Sequence, residues 1–489
     1  MFQSAGYQII GGSTLTLGDV AGVDVAALTH ARIDTVIAGS NGLTKTGNGT
    51  LFLGSAGNTY TGDTVINAGT VVITNEGQLG ASTTTISING IAQTGQPGFT
   101  GGQLIVNGLT GPVTMNREIS VSGRGPGAVN AVGGLTSIGN NTFNGDINIS
   151  GTASEGRVAS NIGIATINGD VYLGSGTANI FLGNGSFIVN GQVSGFDTAG
   201  DRFIKTGGSV ASTLWLTNAS NDFRQTLRVD SGTVRVSGPN ALAALGVSTS
   251  SQSLDSNGGF FEIHSDTTDF SSKNFRKRGN GGGIFVDHDF GSTVVAQTVM
   301  FGDLLLDANA SFTLNGRNGF GATFAPADGK VTWTNGGTGA LTNNSNGVLT
   351  LNANIERVSE TGARSFTVTG NGETVITGNL LQLGTGAVTL EKRGRGILTI
   401  GGTAGTYEGI TNIREGTLSV SSLAALGTNS TIKIGGTGGT SLPALTVTAA
   451  LEYTGAGEVS TKVIELQGTT GGANLLGNGT GGLTLTSNL

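Results

Sequence analysis

One stretch of this chain, Leu43–Gly80, recurs as Leu390–Gly427 at a constant offset of 347, without a gap. The two copies are identical at 15 positions. The shared residues include Lys45/Lys392, Gly47/Gly394, Gly49/Gly396, Tyr60/Tyr407, Gly62/Gly409 and Gly69/Gly416. A more divergent copy at 203–246 keeps Lys205-Thr206-Gly207, Gly232-Thr233 and Leu245-Gly246, with Phe223 near the tyrosine position. Internal repetition of this kind points to a fold in which each unit buries its apolar face against neighbours rather than within itself.

The units read as short strands. In Thr50-Leu51-Phe52-Leu53, Leu51 and Leu53 share one face, and in Thr70-Val71-Val72-Ile73, Val71 and Ile73 do, because successive strand residues point to opposite sides. Glycine, at 88 of 489 residues, and asparagine supply the positive φ that tight corners need. Charged residues are only 11% and hydrophobic ones 36%, a balance that opposes disorder driven by charge repulsion. Six prolines without a strict Gly-X-Y period exclude collagen. The expected fold is all-β: strands running in one direction stack coil upon coil as a parallel β-helix, or β-solenoid. At about 22 residues and 4.8 Å per coil, the chain makes about 20 or more coils and a rod on the order of 100 Å.

The run Leu43-Thr-Lys-Thr-Gly-Asn-Gly-Thr-Leu-Phe-Leu53, followed by Asn58-Thr-Tyr-Thr-Gly62 and Asn67-Ala-Gly-Thr70, resembles the autotransporter-associated β-strand repeat. This element is also called the passenger-associated transport repeat. The copies at 43–80 and 390–427 fit it well, and the one at 203–246 weakly. The resemblance implies a right-handed β-helix of a bacterial surface or secreted protein, often adhesive or structural. It implies no catalytic residue, since the repeat serves folding and export.

Three segments are expected. Residues 1–249 form a β-helix with copies at 43–80 and 203–246; 250–330 is a Phe-rich elaborated segment; 331–489 is a β-helix with the copy at 390–427, ending inside a further repeat. Ten of the 20 phenylalanines lie between Phe260 and Phe324. They read as a stack inside a wider coil with a longer surface loop, or as a binding elaboration. The start, Met-Phe-Gln-Ser-Ala-Gly, has no basic region followed by an apolar one. The chain therefore reads as an excerpt of a longer protein, or as a subunit whose ends continue into neighbours.

Candidate chemistry is sparse. Asp287 and Asp289, two apart, would share a face about 6.6 Å apart on a strand, a spacing that suits an inverting carboxylate pair or part of a calcium site. Neither aspartate has an apolar setting in sequence that would keep it protonated, so the plainer reading is a solvated loop. His30, His264 and His288 have no serine elbow to form a triad with. Gly477-Asn-Gly-Thr-Gly-Gly482 matches a dinucleotide fingerprint only as text, without a following helix. Arg276-Lys277-Arg278 and Lys392-Arg393 with Arg395 read as solvated basic turns, and Tyr60 and Tyr407 as corner-packing residues. No cofactor is expected, calcium being a weak candidate.

With 24 basic and 31 acidic residues, net −7, the chain has no broad attraction for nucleic acid or anionic lipid. Without cysteine it has neither disulfides nor thiolate metal sites. No apolar run reaches the length of a membrane helix, so this segment inserts in no membrane as a helix. The function expected is that of a non-enzymatic structural rod at the bacterial cell surface or outside it. It would be an adhesin-like passenger contacting surface glycans or host matrix, or a fibre subunit joining head to tail into filaments. The alternative is a β-helical polysaccharide-active enzyme or tailspike-like depolymerase.

Overall fold

The computed structural model describes residues 2, 6–19, 22–90, 101–126, 133–150, 155–174, 178–195, 202–208, 211–247, 253–334, 337–358, 361–429, 431–435, 448–467 and 472–487. Two compact units are present: Met1–Val236 with Asn240–Ser248, and Ser237–Pro239 with Thr249–Leu489. Each is a parallel β-solenoid, and the described residues wind about 18 turns. That is fewer than an even coil length gives, because some coils are much longer than the circuit from Leu51 to Val71. One circuit carries the chain from Thr70 to its partner Gln103, and the next from Leu104 to Leu135.

In the first unit the chain visits three faces in turn. Ile119–Ser122, Leu135–Ile138 and Asn141–Phe143 make one circuit, and Ile147–Ser150, Glu155–Ile162 and Ile164–Ile167 stack on it in the same order. The second unit repeats the plan, for example with Leu304–Leu306, Ser311–Gly316 and Gly321–Phe324 beneath Lys330–Thr334, Gly339–Asn343 and Leu349–Leu351. The pairing is parallel throughout these faces.

Parallel register places like on like. Leu51, Val71, Leu104, Leu135 and Val158 form one column, each paired with the next, and all are buried. Ile86, Ile119, Ile147, Val171 and Val193 form another. Burying each such side chain contributes about 1.5–3 kcal/mol, so the strand alternation is what fixes the register. In the second unit most of the described phenylalanines fill the interior. Phe275 packs edge-on against Phe261 and Phe312 at 5.7 and 5.6 Å, and Phe324 stacks on Phe301 at 5.3 Å. A longer connection, 288–297, leaves the strand Gly283–Asp287 before Thr298–Phe301 begins.

Corners also stack. Asn144-Gly145-Asp146, Asn168-Gly169-Asp170 and Asn190-Gly191-Gln192 lie above one another in the first unit. Asn168 Nδ2 donates to Asn144 Oδ1 and Asn190 Nδ2 to Asn168 Oδ1, each at 2.9 Å. The Asp170 and Gln192 amides donate to the aspartate one coil below, each at 2.8 Å. Glycine is required between them: a Cβ on Gly169 would lie 2.2 Å from the Gly145 carbonyl oxygen. Gly169→Ala is therefore expected to destabilise the first unit by about 1–3 kcal/mol, as overpacking does. Hydrogen exchange should rise at 144–147 and 190–193 while the second unit is unchanged.

Candidate functional site

The residues that define the repeat converge on one corner. Lys45 follows Leu43 on the inward side of strand Leu43–Thr46 and is fully buried. Its ammonium donates to the carbonyls of Thr46 (2.7 Å), Gly47 (2.6 Å) and, from the next coil, Ala68 (3.1 Å). Lys392 repeats this on Arg393, Gly394 and Glu415, at 2.8, 2.6 and 3.1 Å. Three donors on a compact head meet three convergent acceptors, which is how a buried charge is tolerated.

The glycines shape this cage. Gly47 and Gly69 have φ of 70° and 71°, and Gly394 and Gly416 have 70° and 71°, a backbone that disfavours any side chain and that, at Gly47 and Gly394, presents the carbonyl to the amine. A Cβ on Gly69 would sit 2.4 and 2.5 Å from the Gly49 and Gly47 oxygens, and one on Gly416 would reach 2.7 Å from Lys392 Nζ. Gly49 and Gly396 bear the coil below, with a Cβ 2.3 Å from Ala26 O and 2.0 Å from Gly372 O. Gly62 and Gly409 do the same against Gly42 N and Val388 O, both at 2.2 Å.

The tyrosines plug the adjoining corner, where the third face carries no strand: 54–63 and 401–410 are irregular. Tyr60 and Tyr407 are fully buried, and their hydroxyls meet Thr64 and Thr411 Oγ1, each at 2.7 Å. Gly80 and Gly427 lie against the ring edges; a Cβ there would be 2.8 Å from Tyr60 Cδ2 and from Tyr407 Cδ2. Both tyrosines are thus corner-packing residues.

Three features were not foreseen from sequence. A 3₁₀ turn closes each repeat, Glu76–Leu79 and Leu423–Leu426, and Ala241–Ala244 is a helical turn in the third copy. Asn75 Oδ1 accepts from Gly77 N and Ser422 Oγ from Ala424 N, which are N-cap contacts. The Asn–x–x–Gln spacing of 75–78, a capping box, was the available signal. Secondly, a cation from a later coil covers the last carbonyls of each turn. Arg117 donates to Leu79 O (2.7 Å) and Gly80 O (3.3 Å), and Lys462 to Leu426 O (3.2 Å) and Gly427 O (2.6 Å).

The third feature corrects the reading of Arg276-Lys277-Arg278 as a solvated turn. Lys277 is fully buried and donates to the carbonyls of Ser256, Arg278 and Gly279, with Gly279 at φ 54°. It is a related clamp in the Phe-rich segment, its third acceptor drawn from the preceding coil rather than the next, and it is flanked by Arg276 and Arg278 paired to Asp307 and Asp255 at 2.7 and 2.8 Å. Lys205 clamps Thr206 and Gly207 at 3.1 and 3.2 Å. Likewise Lys392 is interior and Arg393 is held by Glu391 at 2.6 Å.

Asp287 and Asp289 do not form a shared site. Asp287 ends strand Gly283–Asp287 and is buried, not solvated; its Oδ1 accepts from the His288 amide (2.9 Å) and Asn318 Nδ2 (2.6 Å). Asp289 Oδ1 accepts from the Phe290 amide at 2.8 Å. Among the described residues no group of three or more His, Asp or Glu converges as a metal site, and no helix is long and apolar enough to cross a membrane. His264 lies 2.7 Å from Glu262 and stacks on Phe290 at 4.3 Å; it does not join His30 or His288 in a triad.

Removing Lys45 takes the ammonium donor from the Gly47 and Ala68 carbonyls, while Thr46 O keeps the Val25 amide at 3.1 Å. Lys45→Met, which keeps the stem, is expected to cost about 2–4 kcal/mol, from the penalty of about 1–3 kcal/mol per orphaned buried group with partial relaxation. Denaturant unfolding followed by hydrogen exchange at 46–69 measures it.

Burial pushes the amines of Lys45, Lys205, Lys277 and Lys392 down from 10.5 to about 8. Between those values the unfolded chain binds more protons than the folded one, so stability rises with pH. The cost of the buried charges is fully present below about pH 8 and is relieved toward 10.5. Burial holds Tyr60 up to about 12, from 10.0, and raises Tyr407 too. There the folded state keeps its protons longer, and stability falls above about pH 10. Melting temperature should climb from about pH 8 to near 10 and then decline, and Lys45→Met with Lys392→Met should flatten the climb.

Comparison with known proteins agrees with this geometry. The passenger-associated-transport-repeat family model matches residues 43–73 and 390–420. Neither the curated proteins nor the solved structures contain a match. The lysine clamps and tyrosine plugs at Lys45, Tyr60, Lys392 and Tyr407 lie inside the matched segments, and the chain thus carries two passenger-associated transport repeats in a β-solenoid.

Proposed function

We propose that the chain is a non-catalytic scaffold of an autotransporter-type passenger, displayed at a bacterial cell surface or released outside it, that presents adhesive outer faces. One observation carries this reading: both matched repeats commit their shared lysines, glycines and tyrosines to holding backbone and packing corners. A fold built so can vary its outer surface without losing its coils. The polysaccharide-active alternative would rest on Asp287 and Asp289, and Asp287 is already engaged by Asn318 and its own neighbour's amide.

A second form of the same reading is a fibre subunit whose end coils meet head to tail, since exposed strand edges template further pairing. Negative-stain microscopy over a concentration series, with calcium and with a chelator, separates the two. Dispersed particles at every concentration, unaffected by calcium, are expected for the adhesive scaffold. Filaments that lengthen with concentration would establish the fibre subunit, and filaments or melting that depend on calcium would bring the ion into the function. Release of reducing ends from a neutral or anionic polysaccharide, abolished by Asp287→Asn, would overturn the scaffold in favour of an enzyme.

A further inference from the structure

On the outer surface of the first unit a recess opens beside the first matched repeat, lined by Leu28, Thr29, His30, Asn48, Thr50 and Phe52. Leu28 is its most unusual member. Its φ is 61°, and its side chain is fully exposed. The left-handed region is costly for a side chain with a Cβ. Elsewhere among the described residues the chain fills such positions with glycine or, at Asn309 and Asn318, asparagine, Ala296 being the other exception. Leucine at position 28 thus carries a backbone cost with no burial to offset it. A strained residue held against cost points to a contact outside the fold.

The turn is firmly held. Thr29 N and Oγ1 donate to Ala26 O at 3.2 and 2.6 Å, and the next coil donates from Gly49 N to Val25 O and from Thr50 N to Thr29 O at 2.9 and 3.0 Å. Gly49 is what lets that coil approach, since a Cβ would stand 2.3 Å from Ala26 O. Leu28 is therefore presented by a rigid support.

Phe52 faces outward from strand Thr50–Leu53 and is half-buried, in register with Arg32 and Val72. Arg32 is itself engaged by Asp34 at 2.8 Å. The repeat does not need the recess residues: the positions of Asn48 and Phe52 carry Arg395 and Thr399 in the second matched copy. The lining holds an aromatic face and an aliphatic wall, rimmed by two hydroxyls, an amide and an imidazole, with no carboxylate, lysine or arginine. That is the profile of a shallow, open site that takes one face of a neutral, hydroxyl-rich ring: apolar contact from the C–H face, hydrogen bonds at the edge.

We propose that this recess binds one pyranose ring of a neutral surface glycan, gripped between Leu28 and Phe52. The proposal rests on the adhesive reading above and names its site. The test is binding of the full chain to a printed panel of neutral, sialylated and sulfated oligosaccharides. It is repeated with Leu28→Gly, Phe52→Ala and, as a control in the second unit, Phe290→Ala, with melting followed for each. Neutral oligosaccharides are expected to bind, with at least a tenfold loss in Leu28→Gly and Phe52→Ala and none in Phe290→Ala. Leu28→Gly should melt at the same or a higher temperature while losing binding, a split that a merely structural leucine does not give. Neutral binding intact in both recess variants, or lost in Phe290→Ala, overturns the recess but leaves the adhesive scaffold standing. Binding of no oligosaccharide, or of anionic ones only, overturns the recess as well, and the first of these outcomes also counts against adhesion to glycans.

Discussion

Carbonyl groups at a coil corner are the constraint on which this fold depends. Along a strand backbone groups find their partners in the coil above or below, but where the chain turns between faces several oxygens converge on one point, and the amides there, such as those of Val25 to Thr46 O and Arg278 to Ser256 O, reach only some of them. Buried and unpaired, each would cost about 1–3 kcal/mol. The clamps of Lys45, Lys277 and Lys392 answer this by placing one ammonium among three carbonyls. The rest of the repeat follows from making room for it. Left-handed glycines aim the oxygens, and the glycines beneath let the neighbouring coil come close enough to contribute the third acceptor.

The choice of lysine is physical. An ammonium offers three donors at tetrahedral angles from one atom, which suits acceptors gathered around a point; a guanidinium offers a planar fork. At the 3₁₀ turn of the first repeat the acceptors are Leu79 O, Gly80 O and Thr84 Oγ1, and the cation is Arg117. Lys462, at the corresponding turn of the second unit, meets Leu426 O, Gly427 O and Asn429 O instead. Helix-terminal carbonyls carry partial negative charge that favours a cation, and the two units satisfy the same need with different side chains.

This division explains what could be read from sequence. Lysine, glycine and tyrosine at fixed spacing were visible because each has almost no substitute at its position, and the strand alternation of Leu51/Leu53 and Val71/Ile73 identified the inward face. Lys277 escaped notice because its arginine neighbours made it look like a surface run; only the register shows it pointing inward between two outward ion pairs. Arg117 and Lys462 escaped because the coil length after the repeat varies, so the two cations stand at different distances in sequence beyond Gly80 and Gly427. The asparagine ladder of Asn144, Asn168 and Asn190 was hidden by similarly uneven spacing between its rungs. Asp287 was misjudged because a polar triplet gives no sign that its first member ends a buried strand.

The two matched repeats also show where function can reside. From 43 to 53 the inward positions hold Leu, Lys, Gly, Gly, Leu and Leu, and the second copy holds the same residues with one Leu-to-Ile change. The outward positions between them are Thr, Thr, Asn, Thr and Phe in the first copy, and Glu, Arg, Arg, Ile and Thr in the second. All five differ. Alternation thus separates one set of residues that stacking dictates from another that it leaves free. Glu391, Arg393 and Arg414 make a charged cluster on the outer face of the second copy, where the first has Thr44, Thr46 and Asn67, and on the following strand the first presents Phe52 where the second has Thr399. Identical interior mechanics carry two chemically unlike surfaces, so the properties that distinguish one solenoid of this kind from another belong to its outward residues and not to the repeat that builds it.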